Sequence, residues 1–352
     1  MRSVFAAAFA SALVLRAYAT PGLTLTVTPI TSSEGNRLPV TTTVTNTGSE
    51  TLTLLNDPRT ILSDAPTETF AITNANGSPD FIGIRVKYSP EYVARENDPT
   101  SFTVLAPGHS REVVHDLAGV YNFTRTGAGD YRIEALDTFE YIDATGKLAS
   151  LKAVTESSTF TLTENLIPSG TSRSRSRMVG TRQSGLRFNH CDESQKKEIT
   201  EAAASAETSI TEVLSWFNTH PTVTPRYKSW FGEYESARFN QVKEHFGKIQ
   251  GKSPQTAYDC SCNMPHVFAY VYANQPGLVH ICPAFWDAPM TGTDSKSGTL
   301  IHEQTHFDVN GGTRDSAYGH RNCRNLAINK PHLAAKNADN HEYFAENNPW
   351  EA

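Results

Sequence analysis

The first 190 residues of this 352-residue chain contain no cysteine. All five, Cys191, Cys260, Cys262, Cys282 and Cys323, fall in the second half, which confines any covalent cross-linking to that half. Zinc-finger spacing is also missing, because Cys260-Ser261-Cys262 is C-x-C rather than C-x₂₋₄-C. An excess of positive charge is absent: 31 basic against 37 acidic side chains leave a formal charge of −6, so there is no electrostatic reason to expect nucleic acid as a partner. Long apolar runs are nearly absent. The single example, residues 4–15, is too short for a bilayer span, so no membrane partner is expected. Apolar residues at 38% and charged residues at 19% are ordinary for a globular protein, which excludes a mostly disordered, collagen-like or coiled-coil chain.

What is present begins with a leader. Arg2 precedes the apolar run, and Ala17-Tyr18-Ala19 offers small residues at the spacing a signal peptidase accepts. Residues 1–19 are therefore expected to be a secretory signal peptide, making the mature protein secreted and extracellular. In an exported chain four of the five cysteines can form two bridges, with one left over.

The length suggests two domains, and the chain changes character near residue 170. Residues 20–167 carry short Thr- and Val-rich runs of period two at 23–27, 40–44, 51–55, 81–86 and 131–136, separated by Gly, Asn, Asp and Pro clusters. That pattern predicts an antiparallel β-sandwich. Asn76-Gly77-Ser78 and Asn122-Phe123-Thr124 are sequons for glycosylation on surface turns. Residues 168–187 are polar and arginine-rich, and are expected to be an exposed linker suited to proteolytic processing. Residues 188–352 read as mainly helical. Ile199, Ala203, Ala206, Ile210, Val213, Leu214 and Phe217 follow helical spacing after Asp192, an N-cap. A second helix is predicted over 227–249, with Phe231, Tyr234, Val242, Phe246 and Ile249 on its buried stripe. Residues 267–272 and 278–281 predict a short hairpin. The expected fold class is α+β: a β-sandwich followed by a mainly helical domain with a small sheet.

The chemistry concentrates in Leu300-Ile301-His302-Glu303-Gln304-Thr305-His306-Phe307. On a helix, positions i and i+4 share a face, so His302 and His306 can present two imidazoles to one cation. Glu303 can reach a water on that cation, the H-E-x-x-H arrangement of zinc metalloproteases. A catalytic zinc needs a third protein ligand and an open position. Asp308 would point away around the helix, and His320 and His341 qualify by type. Asp315 follows the Gly311-Gly312 reversal that returns the chain beneath the helix, which favours it on geometry, although spacing alone leaves His320 open.

Gly312-Thr313-Arg314-Asp315-Ser316-Ala317-Tyr318-Gly319 resembles the G-T-x-D-x-x-Y-G motif of the deuterolysin, or aspzincin, metalloproteases. That resemblance implies one zinc held by His302, His306 and Asp315, Glu303 as catalytic base, and Tyr318 as hydrogen-bond donor to the substrate oxyanion. Ala284-Phe285-Trp286, Thr291-Gly292-Thr293-Asp294-Ser295, Asn337-Ala338-Asp339-Asn340-His341-Glu342-Tyr343-Phe344 and Glu346-Asn347-Asn348-Pro349 are similar to the peptidyl-lysine metalloendopeptidase branch. Membership of that branch implies cleavage before lysine, with Asp339 and Glu342 in the S1′ pocket. It also implies bridges Cys191–Cys260 and Cys262–Cys282, leaving Cys323 outside the pattern. A lysine ammonium taken out of water needs a carboxylate partner, and Asp339 and Glu342, three apart, can share one helix face. The expected partners are polypeptide substrates containing lysine and the chain's own propeptide at 20–187. Two rival readings are a deuterolysin-type protease of broad specificity and a secreted binding protein with a structural zinc.

Overall fold

A computed structural model describes residues 20–29, 37–163, 185–220 and 224–351. The leader at 1–19 and most of the 168–187 linker lie outside the described residues. Arg187, the last residue of that expected linker, already opens the strand Arg187–Asn189 of a C-terminal sheet.

The N-terminal region is built from short strands whose alternating side chains face one apolar core. Leu23–Pro29 runs antiparallel to Pro39–Asn46, which pairs in turn with Ser110–Asp116; Val154–Thr155 joins the first strand in parallel. A three-stranded sheet (Ser158–Leu162, Gly129–Ala135, Phe70–Thr73) and a four-stranded sheet (Leu148–Lys152, Thr138–Ile142, Leu52–Leu55, Phe102–Leu105) accompany it. Leu25, Val44, Leu54, Ile72, Ile133 and Phe139 from these strands share that core. The continuous strand expected over 81–86 does not form. Its ends belong to two sheets, Asp80–Phe81 paired with Tyr121–Asn122 and Arg85–Tyr88 paired elsewhere. Gly83 lies at the switch, where a Cβ would sit 2.0 Å from the Pro66 carbonyl oxygen, so only glycine lets the backbone pass.

The C-terminal region folds around a second core of helices. Asp192 closes a capping box with Gln195 at the start of helix Glu193–Thr219, whose stripe of Ile199, Ala203, Ala206, Ile210, Val213 and Phe217 is buried. The single helix expected over 227–249 is two, Pro225–Phe231 and Ser236–Ile249. Gly232 ends the first with φ 77°, and Tyr234, expected on the buried stripe, lies in the turn and is exposed. The predicted hairpin is present as Val267–Val271 and Leu278–Ile281. It belongs to a larger mixed sheet in the order Arg187–Asn189, Ala257–Asp259, Leu278–Ile281, Val267–Val271, Arg85–Tyr88. The last of these strands comes from the N-terminal region. Disulfides join Cys191 to Cys260 and Cys262 to Cys282; Cys323 is free and buried. Among the described residues no helix is long and apolar enough to cross a membrane.

Candidate functional site

Helix Lys296–His306 is buried along its whole length, and the Ser295 side chain caps it by accepting from the Gly298 amide. It carries His302 and His306 on one face, with their Nε2 atoms 3.0 Å apart. Beyond Phe307 the chain reverses: Gly312 takes φ 56°, its amide bonds the Phe307 carbonyl, and the Thr313 amide bonds the Thr305 carbonyl. The returning segment is fixed by Asn337, whose Oδ1 accepts from the amides of Ser316 and Ala317. Asp315 is thereby set beneath the helix, its Oδ1 at 3.3 Å from His302 Nε2 and 3.2 Å from His306 Nε2.

The remaining ring nitrogens bear on what these atoms could hold. His306 Nδ1 lies 3.0 Å from the Thr313 carbonyl oxygen, and His302 Nδ1 lies 2.9 Å from Asp339 Oδ1. A neutral imidazole that carries its proton at Nδ1 presents a lone pair at Nε2. Two lone pairs and a carboxylate oxygen gathered within 3.3 Å repel one another unless a cation lies among them. Tetrahedral zinc with bonds of about 2.0–2.1 Å separates its ligand atoms by about 3.3–3.4 Å, so the three donors fit three corners of such a site. Asp315 Oδ1 has no hydrogen-bond partner, as befits an atom placed for a metal. The carboxylate behind His302 is the kind of outer partner that orients a metal-binding imidazole.

Ionisation in the metal-free chain follows burial first. Burial opposes the imidazolium of His302, but Asp315, Asp339 and Glu342 outweigh it and raise its pKa well above the usual value. Burial lowers His306. Burial also opposes ionisation of Asp315, yet His306 and His302 hold its pKa well below the carboxylate range. Glu303, fully buried beside them, is pushed well up by burial and by Asp315.

His320 and His341 do not join this cluster. His320 packs edge-on against Tyr343 and Trp230. His341 Nδ1 bonds the Asn337 carbonyl, and its Nε2 lies 3.0 Å from His245 Nδ1. Asp308 is exposed, and its amide bonds the Ala273 carbonyl.

Asp339 and Glu342 share the inner face of helix Ala338–Glu346, both fully buried. Between them sits an ammonium the sequence did not announce. Lys87 Nζ lies 2.8 Å from Glu342, 3.2 Å from Asp339 and 2.8 Å from Asp294. Burial opposes its charge, but Asp294, Asp339 and Glu342 together raise its pKa well above the usual value. The Tyr343 hydroxyl donates to Asp294 at 2.7 Å and closes the pocket. Asp294 was visible only as part of a matching segment; nothing local in its sequence marks it as a partner for a cation. His302 Nδ1, Asp339 and Glu342 also form a metal-sized group, but the Lys87 ammonium already supplies the cation there.

The backbone around Lys87 is held as closely. The Val86 amide donates to Asp315 Oδ2 at 3.1 Å, and the Tyr318 hydroxyl donates to the Val86 carbonyl at 2.8 Å. Burial raises the Tyr318 pKa well above its usual value, which keeps that hydroxyl a donor. Arg59 stacks on the Tyr318 ring with its guanidinium carbon 4.4 Å from the centroid. The strand Arg85–Tyr88 runs antiparallel to Val267–Val271 and leaves His302, Glu303 and His306 with no exposed surface.

Residues 202–346 match the family model described as lysine-specific metallo-endopeptidase. The chain is 45% identical to a peptidyl-Lys metalloendopeptidase of Grifola frondosa, over 96% of each chain. It is 44% identical to one of Armillaria mellea, over 94% of this chain and 93% of that one. An extracellular protease of Aeromonas hydrophila is 35% identical, over 89% and 88% of the two chains.

Proposed function

Because the chain belongs to the aspzincin family and is a zinc metalloendopeptidase, we propose that it is an exported enzyme cutting peptide bonds on the amino side of lysine. His302, His306 and Asp315 would hold the zinc. When bound, zinc supplies Lewis acidity, acidifying a water and polarising the substrate carbonyl. Glu303 accepts the proton of the attacking water and delivers it to the departing amine. Tyr318 donates to the carbonyl oxygen as negative charge develops on it. Asp339 and Glu342, with Asp294 behind them, receive the side chain that follows the cut bond.

The observation that carries the reading is the buried Lys87 ammonium, seated among three carboxylates one residue beyond a carbonyl bonded to Tyr318. A protease of broad specificity has no use for two fully buried carboxylates and a third, largely covered one at that position, because each costs several kcal/mol unless a cation meets it. The binding-protein alternative is set aside by the membership of an enzyme family. The relative named extracellular supports export, as do the two disulfides.

The test is mass spectrometry of an unstructured protein digested by the zinc-loaded enzyme, with and without a chelator. Cuts before lysine that vanish on chelation are expected. Chelator-sensitive cuts spread over many residue types would leave the zinc chemistry standing and remove the lysine pocket.

A further inference from the structure

We infer that the Val86–Lys87 peptide bond is a self-cleavage site, held across the active site as a tethered substrate and cut within its own chain. The inference rests on the lysine-directed reading above and adds which bond of this chain is the first one presented.

Both sides of the bond are placed for reaction. On the carbonyl side, the Val86 oxygen accepts the Tyr318 hydroxyl at 2.8 Å, and the Val86 amide is tied to Asp315 at 3.1 Å. On the amine side, Glu303, the group assigned to protonate a departing amine, is fully buried, neither of its oxygens is held in a well-formed hydrogen bond, and the nearby Lys87 backbone amide favours its ionised form. Its side chain fills the pocket of Asp294, Asp339 and Glu342.

Register makes this arrangement specific. Val86 lies opposite Tyr270, and Lys87 opposite Ala269. Side chains alternate along a strand, so a slip of one residue would turn Lys87 away from the pocket and put the Val86 side chain towards it. Extended backbone added to the edge of a sheet, with alternate side chains in pockets, is also a general way in which a peptide is recognised.

Hydrolysis consumes one water. Its oxygen bonds to the Val86 carbonyl carbon, the bond from that carbon to the Lys87 nitrogen breaks, and Glu303 passes a proton to that nitrogen. The products are a carboxylate at Val86 and a new amino terminus at Lys87. The cut need not release the region, because Leu52–Leu55 on one side of it stays paired with Phe102–Leu105 and Thr138–Ile142 on the other.

The experiment uses the full chain, stripped of metal and then given zinc, and followed by intact mass and N-terminal sequencing. A fragment beginning Lys87-Tyr88-Ser89 is expected, at a rate independent of protein concentration, and absent from Lys87→Ala. Before zinc is added, acylation of the metal-free chain by an amine reagent gives a readout that needs no turnover. Lys87 should react at least tenfold more slowly than Lys152, whose side chain is 74% exposed. Equal reactivity of the two lysines would overturn the inference, as would zinc-loaded chain that cuts added protein before lysine while its own 86–87 bond stays whole. If the same preparation cuts added protein with no preference for lysine, the parent reading fails instead.

Discussion

The two regions bury different things. The N-terminal core is mainly hydrocarbon, with Leu, Ile, Val, Phe and Tyr closing over one another, and neutral polar side chains buried there, Thr42, Asn46 and Thr126, bond within the region. The C-terminal core encloses a histidine pair, a glutamate and two further carboxylates with no solvent exposure at all. Among the described residues, the charged side chains that the N-terminal region does bury are Asp57, Arg85, Lys87 and Glu140. Each leads to the C-terminal region: Asp57 through Arg59 to the Ser316 carbonyl, Arg85 through Glu68 to Arg314, Lys87 directly, and Glu140 to Arg321. One region is therefore stabilised by its own apolar core and spends its buried charge on contact. The other accepts the cost of buried charge for the sake of chemistry.

The sharpest way to break this contrast is at Glu303. Glu303→Gln keeps the shape and removes the proposed proton carrier, so turnover should fall by about 10²–10⁴-fold or more, while zinc content stays near one per chain. Metal analysis beside a peptide assay checks both. Activity within tenfold of the parent would mean that the buried carboxylate is structural. A smaller and mixed effect is expected at Asp339. It contacts both Lys87 and His302 Nδ1 and accepts the Gly319 amide at 2.9 Å. Asp339→Ala should therefore blunt the preference for lysine and also weaken zinc binding, by about 10–100-fold for loss of an outer partner. A zinc titration of this variant that overlays the parent would separate the pocket from the metal site.

Acid should distinguish the regions by a more gradual route. His245 and His341 are buried, and their contacts fit a relay of neutral rings, Nδ1–H of His245 to Nε2 of His341 and Nδ1–H of His341 to the Asn337 carbonyl. Burial, then Lys248, lowers His245 to about 4; burial, then His245, lowers His341 to about 3. Unfolded histidine titrates near 6.5, so the unfolded state gains protons first as pH falls. The stability these rings confer is fully present above about pH 6.5 and drains away between there and about pH 3–4, at up to about 1.4 kcal/mol per pH unit for each ring. All four tryptophans, Trp216, Trp230, Trp286 and Trp350, lie in the C-terminal region. Tryptophan fluorescence melts of the metal-free protein at pH 7 and pH 5 therefore follow that region alone. His341→Gln should flatten the difference, and an unchanged pH dependence would show that the pair is not held neutral.

The clustering of the two histidines, Glu303 and Asp315 could be read from sequence because its determinants are local. His302, Glu303 and His306 occupy one helical turn, and Asp315 returns after a Gly-Gly reversal. The capping of the 193–219 helix and the 267–281 hairpin are local for the same reason. Lys87 could not be read, since a lysine in an alternating strand looks like a solvent-facing residue, and its carboxylate partners lie more than 200 positions away. The split of 227–249 was hidden because aromatic residues on both sides of Gly232 keep helical spacing through the turn. The run at 81–86 misled for the opposite reason: its alternation is real, but Gly83 hands its two ends to different sheets.

The smallest expected effect tests whether the contact face is held by its charges or by the inserted strand. Arg321 bridges to Glu140 and donates to the Leu148 carbonyl at 2.9 Å, but its side chain is 43% exposed. Solvent screens such a pair, and its net worth is about 1 kcal/mol or less. Lys87, by contrast, has no exposed surface and meets three carboxylates. In the metal-free chain, Arg321→Ala should raise the acylation rate of Lys87 no more than about fivefold, the equivalent of about 1 kcal/mol in a local opening equilibrium. A rise of a hundredfold would show that the peripheral charges, and not the strand seated in the cleft, hold the two regions together.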